Sequence, residues 1–183
     1  MIRKVLVILA QGFEEVEAIT PIDVLRRSGA SVTVAGLDTL TVGGAHDISI
    51  ECDCLLTSCL SQSYDCIVLP GGGQGSINLA SSFEVLKMVI DTAQHGIIAA
   101  ICAAPAVVLG KTGLLDNKRV TGYPGTEQKC PGLVLEDEKT ITDGNLITAQ
   151  GAGSAMDFSL AIIAALFDQD TADQIARQLC FQR

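Results

Sequence analysis

Four short, nearly continuous apolar runs constrain this chain more than any other feature. They are Lys4–Ala10 (KVLVILA), Asp65–Leu69 (DCIVL), Ile97–Ile101 (IIAAI) and Leu146–Ala149 (LITA). A strand exposed on one face alternates apolar and polar residues. A run without alternation is buried on both faces, as happens in a parallel sheet covered by helices on each side. Segments with helical marks separate the runs. From Phe13 or Glu14 to Arg27 the first turn carries acids and the last carries Arg26 and Arg27, as the helix dipole prefers. Ser28-Gly29 ends that helix, and Pro21 is predicted to kink or split it. Phe83–Gln94, Ala155–Phe167 and Thr171–Leu179 complete the predicted helices. Ala30–Gly36 reads as a second strand, Asp38–Asp53 as a hairpin excursion around Gly43-Gly44, and Leu55–Leu60 as a short helix. Arg119–Thr121 reads as a short strand, and Leu133–Leu135 with Thr140–Thr142 as a small hairpin. Strands alternating with helices predict an α/β fold with a doubly wound, mostly parallel sheet. The 183 residues suit one domain, 1–183.

Hydrophobic residues make up 48% and mean hydropathy is +0.40, so a membrane span has to be weighed. The uncharged run between His95 and Lys111 is too short to cross a bilayer and contains Pro105. MIRKVLVILAQG lacks a small-residue cleavage site and flows into a charged segment, so it reads as a first strand, not a signal peptide. No membrane partner is expected. A net charge of −9, with no cluster of Lys or Arg, argues against nucleic acid as a partner. Seven cysteines, an odd number, without an export signal read as reduced thiols of a cytoplasmic protein. Cys52, Cys54, Cys59 and Cys66 follow C-x-C-x4-C-x6-C instead of paired zinc knuckles, and no metal site is expected.

Right-handed crossovers bring the loops after all parallel strands to one edge of the sheet, where such folds bind ligands. Gly12–Glu17, Pro70–Gly75, Cys102–Ala104, Gly122–Gly125 and Gln150–Ser154 converge there. A lone cysteine ordinarily only packs. Cys102 differs because it follows a buried strand, is flanked by alanines, and precedes a small-residue segment in which Pro105 suits the first helical turn. Such a tight elbow presents a nucleophile, and a helix starting there should favour thiolate. Glu14 and Glu15 read as solvated partners of the first helix dipole. Glu17, between Val16 and Ala18, lies a turn further in, and a carboxyl buried beside a thiolate should hold its proton. The N–H groups of Gly72 and Ala103 are candidate oxyanion donors. Gly71-Gly72-Gly73 lacks both a dinucleotide fingerprint and a phosphate-loop lysine, so no cofactor is expected. No His follows Cys102, and neither His46 nor His95 reads as its base within one chain; His46 could reach a site only across a dimer interface.

LAQGFEEVEAITPIDVLRRSG, IVLPGGGQG, AAICAAPAVVLG, VTGYP and TAQGAGSAMDFSLAII, taken together and in order, resemble the ThiJ/PfpI superfamily, in its branch of parkinsonism-associated and bacterial YajL-type proteins. The resemblance implies a flavodoxin-like three-layer sandwich with a cysteine nucleophile elbow, usually as a homodimer. It assigns the reactive, readily oxidised nucleophile to Cys102, a protonated partner to Glu17 and an oxyanion donor to Gly72. The implied activities are cofactor-independent conversion of 2-oxoaldehydes to 2-hydroxy acids and removal of early glycation adducts. The other implied roles are redox sensing through cysteine sulfinate and chaperone-like protection, with a thiamine-biosynthesis designation for some members. Partners are then small reactive carbonyls or glycated groups. Two departures stand out. Gly122-Tyr123 occupies the place where the parkinsonism-associated members have a His, and His46 stands where some relatives have an Arg near the dimer interface. Tyr123 and His46 are accordingly candidate pocket residues.

Overall fold

A computed structural model describes residues 2–182, so Met1 and Arg183 of the expected 1–183 unit lie outside the described residues. The strands are β1 (Lys4–Leu9), β2 (Ser31–Gly36), β3 (Thr41–Gly43), β4 (Ser49–Glu51), β5 (Cys54–Leu55), β6 (Cys66–Leu69), β7 (Ile97–Ile101), β8 (Thr140–Asp143) and β9 (Leu146–Ala149). The helices are α1 (Glu15–Arg27), α2 (Gly73–Ser81), α3 (Phe83–Ala93), α4 (Ala104–Val107), α5 (Ala155–Leu166) and α6 (Gln169–Gln178). Seven strands form one sheet in the order β5-β2-β1-β6-β7-β9-β8. Every neighbouring pair is parallel except β8 with β9, and β3 pairs with β4 as a separate antiparallel hairpin.

The apolar runs explain the layering. Along β1, Val5, Val7 and Leu9 enter one core with residues of α1, α5 and α6. Leu6, Ile8 and Ala10 enter a second core with Val85, Met88 and Val89 of α3 and with Ala104 and Val108 at the elbow. Each Val, Leu, Ile or Met side chain among them contributes about 1.5–3 kcal/mol on burial, so both faces of the sheet must be covered. The expected flavodoxin-like α/β sandwich is what forms.

Several local expectations need correction. Pro21 does not split α1, which runs unbroken through it; it is buried on the packed side of the helix, where tertiary packing offsets one lost backbone hydrogen bond. Helix α2 has weak intrinsic signals, with Gly73, Gly75 and two serines, and its existence rests on packing of Leu79 and Ala80. Thr140–Asp143 pairs with β9, not with Leu133–Leu135, because Asp143-Gly144-Asn145 makes the turn with Gly144 in the left-handed region. Arg119–Thr121 forms no strand: the Thr121 N–H donates to the Thr148 side-chain hydroxyl in place of a ladder carbonyl. Leu55–Leu60 is not an α-helix: the edge strand β5 ends at Leu55 and a 3-10 turn follows at Leu56–Ser58. Among the described residues, no helix is long and apolar enough to cross a membrane.

Candidate active site

The registers Leu69↔Ala100 and Ile101↔Ala149 set the carboxyl ends of β6, β7 and β9 side by side. The chain leaves β7 through Cys102, whose φ of +64° is in the left-handed region. That conformation costs a residue with a Cβ about 1–2 kcal/mol. Neighbouring loops hold it: the Cys102 N–H donates to the Ala149 carbonyl at 2.9 Å, and the Tyr123 N–H donates to the Cys102 carbonyl at 2.7 Å. The sulfur itself accepts from the N–H groups of Gly72 and Ala103. Both residues expected to form an oxyanion site therefore face the thiol.

Glu17 is delivered by the start of α1. The Glu14 side chain caps the helix by accepting the Glu17 N–H at 2.7 Å, and Glu17 itself is only 1% exposed. Its Oε2 accepts from the Gly71 N–H at 2.9 Å. The carboxyl also accepts from the Ala152 N–H and shares a hydrogen bond with the Cys102 thiol. Gly71 and Ala152 are site residues that the sequence reading did not single out. Their loops were among the five expected to converge, but which N–H group faces inward depends on loop conformation.

Burial dominates the electrostatics. It pushes the Glu17 carboxyl up to about 7, against the hydrogen bonds from Cys102, Gly71 and Ala152. Burial first, and the Glu17 charge second, push the Cys102 thiol up to about 12, against the N–H groups of Gly72 and Ala103. The expectation that the elbow helix favours thiolate is thus corrected. α4 is a single turn of four residues, and its field is outweighed by desolvation and by a neighbouring carboxylate. The two groups do not ionise together near neutral pH, and the proton they share can sit on oxygen or on sulfur.

Two glycines make this approach possible. A Cβ on Gly71 would stand 2.4 Å from Glu17 Oε2 and 2.5 Å from Cys102 Cβ. Gly72 has φ +91°, and a Cβ there would stand 2.3 Å from the Gly12 carbonyl oxygen.

The remaining candidates divide. Tyr123 is at the rim, 55% exposed. A Cβ on Gly151 would lie 3.5 Å from the Tyr123 ring and 3.8 Å from Glu17 Oε1, so the ring and the carboxyl border the same glycine. His46 makes its bonds with Glu15: its Nδ1 lies 2.9 Å from Glu15 Oε2, and its backbone N–H donates to Glu15 Oε1 at 2.6 Å. The hydrogen bond to Glu15 raises the His46 pKa. Glu15 is not the solvated acid expected. The β3–β4 excursion folds back over the start of α1, bridging Phe13 and Gly44, and buries it. Burial alone would raise the Glu15 carboxyl, but the His46 ring and the loop N–H groups hold it below its usual value. The cysteines weighed as a zinc set are divided by the sheet: Cys52 and Cys66 pack in one core, Cys54 and Cys59 in the other.

Residues 3–165 match the DJ-1/PfpI family. The chain is 38% identical over 178 residues to protein DJ-1 homolog A of Arabidopsis thaliana, covering 95% of this chain but 45% of that protein. It spans less than half the length of both Arabidopsis relatives it matches. It is 32% identical over 175 residues to the glutathione-independent glyoxalase DJR-1.2 of Caenorhabditis elegans, covering 93% of this chain and 91% of that one. Among solved structures, Drosophila melanogaster DJ-1beta superimposes with a TM-score of 0.95 at 38% identity, over the full length of both chains.

Proposed function

Because the chain belongs to the DJ-1/PfpI family and sets a half-buried thiol beside a buried carboxyl, we propose that it is a cofactor-independent enzyme converting small 2-oxoaldehydes to 2-hydroxy acids. The observation that carries this reading is Glu17. A carboxyl with a pKa near 7, hydrogen-bonded to the Cys102 thiol, is matched to accept and return a proton at neutral pH. The glyoxalase named among the relatives supports the same reaction class.

In the proposed sequence Glu17 takes the thiol proton as Cys102 sulfur adds to the aldehyde carbon. The carbonyl oxygen becomes an oxyanion beside the Gly72 and Ala103 N–H groups and takes the proton from Glu17, giving a hemithioacetal and restoring the carboxylate. Glu17 then removes the hydrogen on the former aldehyde carbon as a proton and returns one to the adjacent carbon through an enediol. The first carbon is oxidised and the second reduced, so no external redox partner is consumed. The product is a thioester of the 2-hydroxy acid. Water cleaves it, releasing acid and thiol. The same attack on an early glycation adduct would free the amine or thiol that the aldehyde had modified. The reading includes a cytoplasmic homodimer.

Protein dialysed against chelator and free of glutathione should convert methylglyoxal to lactate, and Cys102→Ser should abolish the conversion. Lactate formed only with added glutathione, or equally by Cys102→Ser, sinks the proposal. A second reading shares the same carboxyl: protonated Glu17 could donate to an oxygen of a Cys102 sulfinate, making the site a peroxide sensor. That reading takes over if peroxide converts Cys102 to sulfinate while no reduced protein turns over carbonyls.

A further inference from the structure

The Sγ atoms of Cys54 and Cys59 lie 3.4 Å apart, on the face of the sheet served by α3 and the elbow. Cys54 is half-buried on the edge strand β5, paired to β2 through Ala35. Cys59 is buried, caps the 3-10 turn Leu56–Ser58, and sits beside the buried Tyr64. Leu56 and Thr57 of that turn, with Leu60 just beyond it, line a cavity of about 500 Å³ beside this segment. From this placement we propose that Cys54 and Cys59 form a dithiol–disulfide site, oxidised by hydrogen peroxide and distinct from Cys102.

The geometry needs little motion. A disulfide has its sulfurs about 2.0 Å apart, so the two atoms must close by about 1.4 Å. Cys54 belongs to a two-residue edge strand and Cys59 to a single turn, which leaves both ends of the segment free to adjust. In the first step the Cys54 thiolate attacks one oxygen of the peroxide. An S–O bond forms, the O–O bond breaks, and hydroxide leaves to take up a proton. The Cys59 sulfur, already in contact, then displaces hydroxide from the Cys54 sulfenic sulfur, which departs as water with the Cys59 proton. Two thiols lose two electrons, one peroxide gains them, and two waters result. The resolving thiol stands nearer than any second peroxide, so the sulfenic acid is captured before it reaches sulfinate. Burial, and then the contact with Cys59, push the Cys54 thiol up to about 11. Thiolate is therefore scarce at pH 7, and the rate should rise about tenfold per pH unit through the alkaline range below that value.

The test is peptide mapping of the folded, fully reduced protein after peroxide, with free thiols blocked by N-ethylmaleimide before unfolding. The expected product is a Cys54–Cys59 disulfide that dithiothreitol reverses, formed to the same extent in wild type and Cys102→Ser. Cys54→Ser, at the half-buried position, should lose the bridge and leave Cys59 alkylatable after unfolding. Cys54 and Cys59 both remaining thiols under peroxide that oxidises Cys102 would overturn the proposal. So would conversion of Cys54 to sulfinate without a bridge, or bridging of either residue to another cysteine. None of these outcomes depends on carbonyl turnover, so this site and the proposed enzyme activity stand or fall separately.

Discussion

Glu17 and Cys102 meet across the Cα of Gly71, close enough that a methyl group there would stand 2.4 Å from the carboxyl oxygen and 3.0 Å from the sulfur. The contact makes one titrating unit of two residues that lie 85 positions apart in the sequence. Glu17 is buried and Cys102 half-buried, so each resists ionisation, and the ionised carboxylate adds to the resistance of the thiol. Chemistry at this site is governed by where one proton sits.

Stability should register that proton first. The Glu17 carboxyl rises from 4.5 to about 7 on folding, so between those values the folded chain binds more protons than the unfolded one. Stability is fully present below the lower value and falls as pH rises through the higher one, by about 3 kcal/mol at about 1.4 kcal/mol per pH unit. Glu17→Gln keeps an acceptor for the Gly71 N–H and a donor for sulfur but has nothing to ionise. Urea titrations at pH 5 and pH 8 should therefore show the wild type losing stability and the variant nearly level; equal slopes would remove Glu17 as the buried acid.

Reactivity should separate from turnover in the same variant. The Glu17 charge is the second largest cause of the raised Cys102 thiol, so Glu17→Gln should lower that pKa and speed iodoacetamide alkylation of Cys102 at pH 8 by about tenfold for each unit gained. Carbonyl conversion, which needs the proton returned, should fall by at least the 10²–10⁴-fold typical of general acid–base catalysis. Slower alkylation with activity retained is the opposite pattern, and it would assign Glu17 a purely structural part.

The layered fold was legible because it rests on burial: KVLVILA and IIAAI have no polar face to expose, and the two cores divide their residues alternately. The site's residues were legible for the same topological reason, since Cys102 and Glu17 follow strands that had to end at one edge. Its electrostatics were not. A one-turn helix at Ala104–Val107 and a carboxyl in contact with sulfur depend on angles and distances that spacing does not encode. Glu15 was misread for a related reason: a hairpin that folds back over α1 decides its burial, and nothing within α1 announces that fold-back.

Gly71→Ala tests the close approach itself. The added methyl has no room between Glu17 Oε2 and Cys102 Cβ, and overpacking of this kind costs about 1–3 kcal/mol. A lowered Tm with a displaced Glu17–Cys102 contact is expected, and alkylation of Cys102 should become faster as the thiol loosens. Unchanged stability and thiol reactivity would show that the loop carries slack that the distances deny.

The last prediction concerns the surface through which a second copy would bind. Val16 and Ile19 on the first turns of α1 are 49% and 43% exposed, and Ile48, in the hairpin turn bonded to that helix through Glu15, is 52% exposed. Exposed apolar side chains occurring singly are ordinary, but three on two adjoining segments make a patch of the kind that association covers. The charged rim needed to keep such a patch specific is present in Glu14 and His46. Ile19→Lys places a charge among these side chains without touching either core, so the fold should survive. Sedimentation at micromolar concentration should give twice the 19.1 kDa chain mass for the wild type and the single mass for the variant. A monomeric wild type, or a variant that stays dimeric, would mean that copies of this chain do not associate through α1 and the hairpin.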